Sequence, residues 1–338
     1  MTDLFSLLED AQIERCITFS DVETGLRAVL VIDDTSQGPA VGGVRTQPYP
    51  SFEAAVVEGK RLAKAMTQKC ALAGLGAGGG QVTVLDHPGL KREAAFQKLG
   101  SFIEGLEGLF RTSGDLGTTQ ADLRAMARST RYVQSDEDRL AKAVASGLIR
   151  CIEAIQQLRG SAARVEGLTV AIQGAGIIGA SAAHALTAEG ATVIISDLVP
   201  ERAERVAATA GAKVVSPDEI LEADVDVFAP CAASNWLDVE AAELLNAKAV
   251  CGAANGVLTG VDAAKRLAAR GILHVPDSIA SAGAVVEDIG RTVMGLPDRT
   301  PLLDHLGTTA LAVLKNARET GITPYEAAAK LAAERLAR

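Results

Sequence analysis

Gly174, Gly176 and Gly179 stand in G-x-G-x-x-G spacing directly after an apolar run, Leu168 to Ile172, and Asp197 follows twenty-three positions after the first of them. These residue types at this spacing can hold a dinucleotide. Gly174 permits a tight turn, Gly176 lets a pyrophosphate approach the backbone, and Gly179 lets a helix pack on a strand. The phosphates then meet exposed N–H groups at a helix N-terminus. A carboxylate at Asp197 can accept both ribose hydroxyls of an adenosine and repels a 2′-phosphate, which favours NAD over NADP.

Two further ionisable groups lie among small residues. Lys69 falls between a helical stretch (52–66) and residues 74–80, of which five are glycine. Asp115 falls in the loop-like segment FRTSGDLGTT (110–119). A lysine can bind a carboxylate as a point charge, and an aspartate can hold an ammonium or orient a base. Glycine at such density costs conformational entropy and suits a loop whose backbone approaches a ligand. On spacing alone, both charges also fit a solvated surface. His87, His184, His274 and His305 show no metal-ligand spacing, and no G-x-S-x-G nucleophile motif occurs.

The elements that would position these groups follow from periodicity. Residues 1–14 read as a short surface helix. Segments 16–21 and 27–35 read as strands hinged at Thr24-Gly25, and 38–50 as a turn-rich loop around a short strand. Ser51 suits an N-cap. QVTVLD after the glycine run reads as a strand, and residues 91–106 as a helix. A loop from 135 runs into a long amphipathic helix that leads to the glycine motif. Beyond Asp197, apolar strands at 212–216, 225–230, 247–255 and 272–278 recur at the spacing of a doubly wound parallel sheet. Thr323, Pro324 and Glu326 form a capping-box start to the last helix.

Composition narrows the class. With 338 residues the chain can bury two cores. A net charge of −9 without a Lys/Arg run argues against a nucleic-acid surface. No apolar stretch is long enough for a membrane span, and the N-terminus shows no signal h-region. The five cysteines contain no C-x-x-C and read as reduced and mostly buried. A cytoplasmic protein is the expectation.

Read in order, GPAVGGVR, KAMTQKCALAGLGAGGG, TSGDLGTT, AIQGAGIIG, DVFAPCA, CGAAN and PDSIASAGA resemble the Leu/Phe/Val/Glu amino-acid dehydrogenases, the leucine dehydrogenase branch above all. The likeness runs from about Pro39 to the final helix. It implies an α/β chain: an N-terminal α/β substrate-binding and oligomerisation domain with a mixed sheet (1–134), a Rossmann-type doubly wound NAD domain (135–300) and C-terminal helices (301–338). The last of these helices would pack back on the first domain, and a deep cleft would separate the two domains. It implies NAD as cofactor, a small amino-acid or imino-acid substrate and a homo-oligomer, a dimer or larger. By position, the resemblance gives Lys69 the substrate carboxylate and places Gly42 and Gly43 along the substrate pocket. Asp115 matches the catalytic aspartate. Gly174, Gly176, Gly179 and Asp197 match the NAD site, and Ala232 and Asn255 line the cofactor cleft. Val285 and Asp288 fall on the substrate side.

Departures from the family pattern cluster at one end of the expected site. The family's glycine run ends in a lysine that acts as the catalytic base; here Gln81 follows Gly80. Val144 stands in place of a nicotinamide-side threonine, and Ser281-Ala282-Gly283-Ala284 in place of N-A-G-G. Glu287 and Asp288 fall where the family is mostly uncharged, which suits either a cationic substrate or a solvated helix face. Three readings follow: an altered reductase acting on a preformed imine, with Asp115 supplying a proton; a standard dehydrogenase with a substitute base; and a catalytically silent homologue that binds NAD or an amino acid.

Overall fold

A computed structural model of the chain describes residues 6, 8, 9, 13–232 and 235–337. The expected helix over 1–14 lies largely outside the described residues. The chain divides into two compact units, Met1–Ala71 with Leu75–Asp136, and Leu72–Gly74 with Glu137–Arg338.

The first unit is built on a mixed five-stranded sheet of β1 (Arg15–Asp21), β2 (Leu26–Ile32), β3 (Ala40–Gln47), β4 (Gly78–Leu85) and β5 (Phe110–Gly114), in the order β1-β2-β4-β3-β5. Strand alternation sends successive side chains to opposite faces. Leu30 and Ile32 of β2 join Phe96, Leu99 and Ile103 of the helix Arg92–Glu104. Val29 and Val31, which alternate with them, join Ala55 and Val56 of the helix Phe52–Ala73. The sheet is therefore covered on both faces, and each fully buried Leu, Ile or Phe contributes about 1.5–3 kcal/mol.

Three glycine-rich segments expected as loops are largely strand. β3 is eight residues long, paired in parallel with β4 and β5; Gly78–Gly80 open β4; and Phe110–Gly114 form β5. The glycine run serves packing. A Cβ at Gly79 would strike the Ala63 carbonyl on the helix Phe52–Ala73, and one at Gly80 would press on the Phe110 ring at 3.1 Å. Backbone at Gly79 and the Phe110 ring at Gly80 are what approach these glycines.

The second unit carries a six-stranded parallel sheet ordered β11-β10-β9-β6-β7-β8, where β6 is Thr169–Gln173, β7 Thr192–Ser196, β8 Lys213–Val214, β9 Val227–Pro230, β10 Ala249–Val250 and β11 Leu273–His274. The chain runs outward from β6 in one direction, then returns to β9 and runs the other way. Ligands of such sheets bind where the order reverses, outside the carboxyl ends of the strands. The long helix Glu137–Leu158 packs against Ile177–Ala188, Gly283–Thr292 and Thr300–Thr320. The final helix, Pro324–Leu336, starts with the expected capping box, and near its end Arg335 donates to the Leu72 carbonyl at 2.6 Å. No described helix is long and apolar enough to cross a membrane. All five cysteines are free thiols; Cys70, Cys151 and Cys251 are buried, Cys16 and Cys231 partly so.

Candidate functional site

In the first unit the site grows from a gap in the β3–β4 ladder. Pairing runs Val41↔Gly79 and resumes at Val44↔Val82, skipping Gly42 and Gly43. There the Gly80 carbonyl points at the face of Gly42, where no Cβ could stand. The Gly43 N–H donates instead to the side-chain oxygen of Gln81 at 3.0 Å. That bond orients the amide, and its nitrogen donates to Asp115 Oδ2 at 2.9 Å. Gln81 is buried and neutral, a bridge between the glycine pair and the carboxylate.

Asp115 follows directly on β5. Arg45 forks onto it, Nε to Oδ2 at 3.0 Å and Nη2 to Oδ1 at 3.1 Å, and the Leu116 N–H reaches Oδ1 at 2.7 Å. With Gln81 this makes four donors for a group with about four acceptor positions. These four donors fix the place and the plane of the Asp115 carboxylate. Arg45 in turn donates to Glu58 at 2.6 Å, and Gln47 holds the other oxygen of Glu58, also at 2.6 Å. Burial opposes the charge on Arg45, but Asp115 and Glu58 outweigh it and raise the guanidinium above its usual value. Burial, with Glu58 adding, pushes the Tyr49 phenol up. Lys69, on the helix Phe52–Ala73, is only 8% exposed and is no solvated surface charge. Arg45, Gln47 and Glu58 were missed in the sequence. The available signal was period-two alternation: Gly43, Arg45 and Gln47 share one face of β3, between buried Val44 and Thr46.

In the second unit the glycine motif closes on the end of β6. Gly174 has φ +104°, and a Cβ there would stand 2.6 Å from that of Ala232, which follows β9 across the reversal of strand order. The Gly174 N–H ties β6 to the Ser196 carbonyl at 2.7 Å. Gly176 starts the helix Ile177–Ala188 with no side-chain cap and no heavy atom within 4 Å of its face. A Cβ at Gly179 would strike the Gly174 carbonyl. Asp197, next after β7, accepts from Ala175 N–H at 2.7 Å and Val199 N–H at 2.9 Å, so the carboxylate is braced against the glycine turn. Open space over Gly176, uncapped helix N–H groups and an anionic acceptor at the neighbouring strand end all fit a dinucleotide. Asp197→Ala is expected to weaken NADH binding about ten- to a hundredfold, the value of hydrogen bonds to a charged group. Calorimetric titration of the folded variant checks this, and unchanged affinity would remove Asp197 from the site.

The remaining candidates are spread over three elements of this unit. Asn255 is exposed and accepts from Ser281 Oγ at 3.0 Å, and Ser281 also donates to the Asp277 carbonyl. Val144 is buried on the helix Glu137–Leu158, where a Cβ at Gly283 would strike the Ala143 carbonyl. Val285 is buried and Asp288 half-buried on the helix Gly283–Thr292. Glu287 corrects both alternatives offered for it. It is 5% exposed, so it does not face solvent, and Arg299 holds both its oxygens at 2.8 and 3.0 Å. Arg139 stands 3.4 Å away. With two arginines on one carboxylate, Glu287 offers no charge to a cationic substrate.

Comparison with known proteins agrees with this architecture. A family profile described as the Glu/Leu/Phe/Val dehydrogenase dimerisation domain matches residues 14–132, and one described as Glutamate/Leucine/Phenylalanine/Valine dehydrogenase matches 195–288. Leucine dehydrogenase of Thermoactinomyces intermedius is 34% identical over 98% of this chain and 93% of that enzyme. Valine dehydrogenase of Streptomyces coelicolor is 34% identical over 96% of this chain and 92% of its own length. The crystal structure of L-tryptophan dehydrogenase from Nostoc punctiforme superposes with a TM-score of 0.83 at 32% identity, covering 98% of both chains. Likeness of this extent, over both units, goes beyond a shared fold: the chain belongs to the Glu/Leu/Phe/Val dehydrogenase family, NAD-dependent oxidoreductases that act on the CH–NH2 group of amino acids.

Proposed function

We propose that this protein reduces a preformed imine of an amino or imino acid, a cyclic imino acid for example, rather than condensing a 2-oxo acid with ammonia. The observation that carries the reading is the neutral amide of Gln81, held between Gly43 and Asp115 where the resemblance puts the family's lysine. Exchange of ammonia and water at carbon needs a group that takes and returns protons, and glutamine does not titrate. NADH, when bound, supplies the hydride. In this reading Lys69 holds the substrate carboxylate, and Gly42 and Gly43 line the pocket. Asp115, a fixed anion, stabilises the positive charge of the imine nitrogen without accepting its proton. Val285 and Asp288 stand toward the substrate side chain. Gly174, Gly176, Gly179, Asp197, Ala232 and Asn255 hold NAD. The match to a dimerisation-domain profile supports self-association, and the free thiols suit a reducing compartment such as the cytoplasm.

A second reading, a silent homologue that only binds NAD or an amino acid, draws on one observation: all four acceptor positions of Asp115 are taken. NADH consumption separates the readings. Turnover of five- and six-membered cyclic imino acids, without turnover of 2-oxo acids plus ammonia, is the expected result. Turnover of the oxo acid and ammonia pairs would mean that another group replaces the base. Binding of NADH with no turnover of either would favour the silent homologue.

A further inference from the structure

The Asp115 carboxylate is held by a relay that no reaction step uses directly. We propose that Arg45, steered by Glu58, is a positioning residue: it sets where the negative charge of Asp115 stands for the reacting substrate. The proposal rests on the reading of Asp115 as a fixed anion.

The geometry is that of a clamp. Arg45 spends Nε and Nη2 on the two Asp115 oxygens and Nη1 on Glu58. Its fork is planar and rigid, so it fixes the plane of the carboxylate as well as its place; a lysine would supply charge without that plane. Glu58 is fixed in turn by Gln47 at 2.6 Å. From the outer side Arg61 approaches Glu58 at 3.6 Å, with a side chain 64% exposed. The Arg45 side chain is 11% exposed and those of Asp115 and Glu58 about twice that, so the guanidinium is the most shielded part of the relay. Without Arg45, Asp115 keeps only the Gln81 amide and the Leu116 N–H, and its orientation loosens. A displacement of about 1 Å in a group that acts on the reacting centre costs about 10²-fold in rate.

The test uses the full chain and the variants Arg45→Ala, Arg45→Lys and Glu58→Gln, assayed with whichever pair the unaltered protein turns over, cyclic imine or oxo acid with ammonia. Arg45→Ala is expected to lose about 10²-fold in kcat with KM little changed. Millimolar guanidinium should restore part of the loss, but none of the loss in Asp115→Asn. Arg45→Lys should recover less than guanidinium does, and Glu58→Gln should fall between Arg45→Ala and the unaltered protein. If kcat and thermal stability fall together and guanidinium restores neither, the role is merely structural and the proposal is overturned. A failed imine reading shows itself separately, as turnover of the other pair or of none. In the latter case the side-chain amide NMR signals of Gln81, which report on Asp115, decide. A shift in Arg45→Ala that guanidinium reverses supports the clamp, and an unmoved signal overturns it.

Discussion

Gln81→Lys is expected to raise ammonia-dependent turnover of 2-oxo acids by about 10²–10⁴, the usual worth of a positioned proton-transfer group. The position suits the exchange. Gln81 is 2% exposed and 2.9 Å from an aspartate. Burial drives a lysine toward its neutral form and an adjacent carboxylate opposes this, so the new group would be poised between the two. The substitution also has a cost that the sequence does not show. The Gly43 N–H would lose the Gln81 oxygen, its acceptor across the ladder gap. An unsatisfied buried donor costs about 1–3 kcal/mol. The variant should therefore melt lower while it gains ammonia chemistry, a combination that a surface effect does not produce. Assays with 2-oxo acids plus ammonia, run beside cyclic imino acids and a melting curve, check both halves. A variant that folds, binds NADH and still leaves ammonia unused would show that proton transfer at this position is not what limits the chain.

The candidate residues of the two units differ in how far they could be read beforehand. The glycine turn, its helix and Asp197 were legible because they are contiguous: strand, turn and helix occupy 169–188, and the acid directly follows the next strand. Local spacing there determines three-dimensional placement. The first unit hides its logic in pairing. Gly78–Gly80 look like a loop by propensity, and become strand only because β2 and β3 lie on either side and a helix presses on them. Tertiary context overrides the low strand preference of glycine. Nothing local singles out Arg45, since its partners Glu58 and Asp115 come from 13 and 70 residues away. Glu287 misled for the same reason. Its departure from the family left a cationic-substrate contact and a solvated helix face both open, but Glu287 is buried and paired with Arg299, twelve residues on.

Gly42→Ala and Gly43→Ala should fail in different ways, although the residues are adjacent and chemically identical. At Gly42 the new methyl would overlap the Gly80 carbonyl, backbone of the neighbouring strand in the buried middle of a sheet. Neither strand can retreat, because β4 is also held by β2 and β3 by β5. The cost should reach the upper end of overpacking, about 3 kcal/mol, or roughly 10 °C in the melting of the first unit. At Gly43 the methyl meets the Cβ of Asp115 at 2.7 Å. That Cβ is fixed to its own backbone, so Asp115 has to shift as a whole just past the end of β5, and stability should fall by less than at Gly42. What shifts with it is the carboxylate held by Arg45 and Gln81. Turnover should then fall by about 10²-fold, the effect of misplacing a group at the reacting centre. Melting curves and NADH consumption measured on both variants separate these outcomes. Equal loss of stability in the two would mean that Gly43 is also pinned by backbone. A stable, active Gly42→Ala protein would mean that the gap in the ladder can widen, and that it is not the rigid platform on which Gln81 and Asp115 are set.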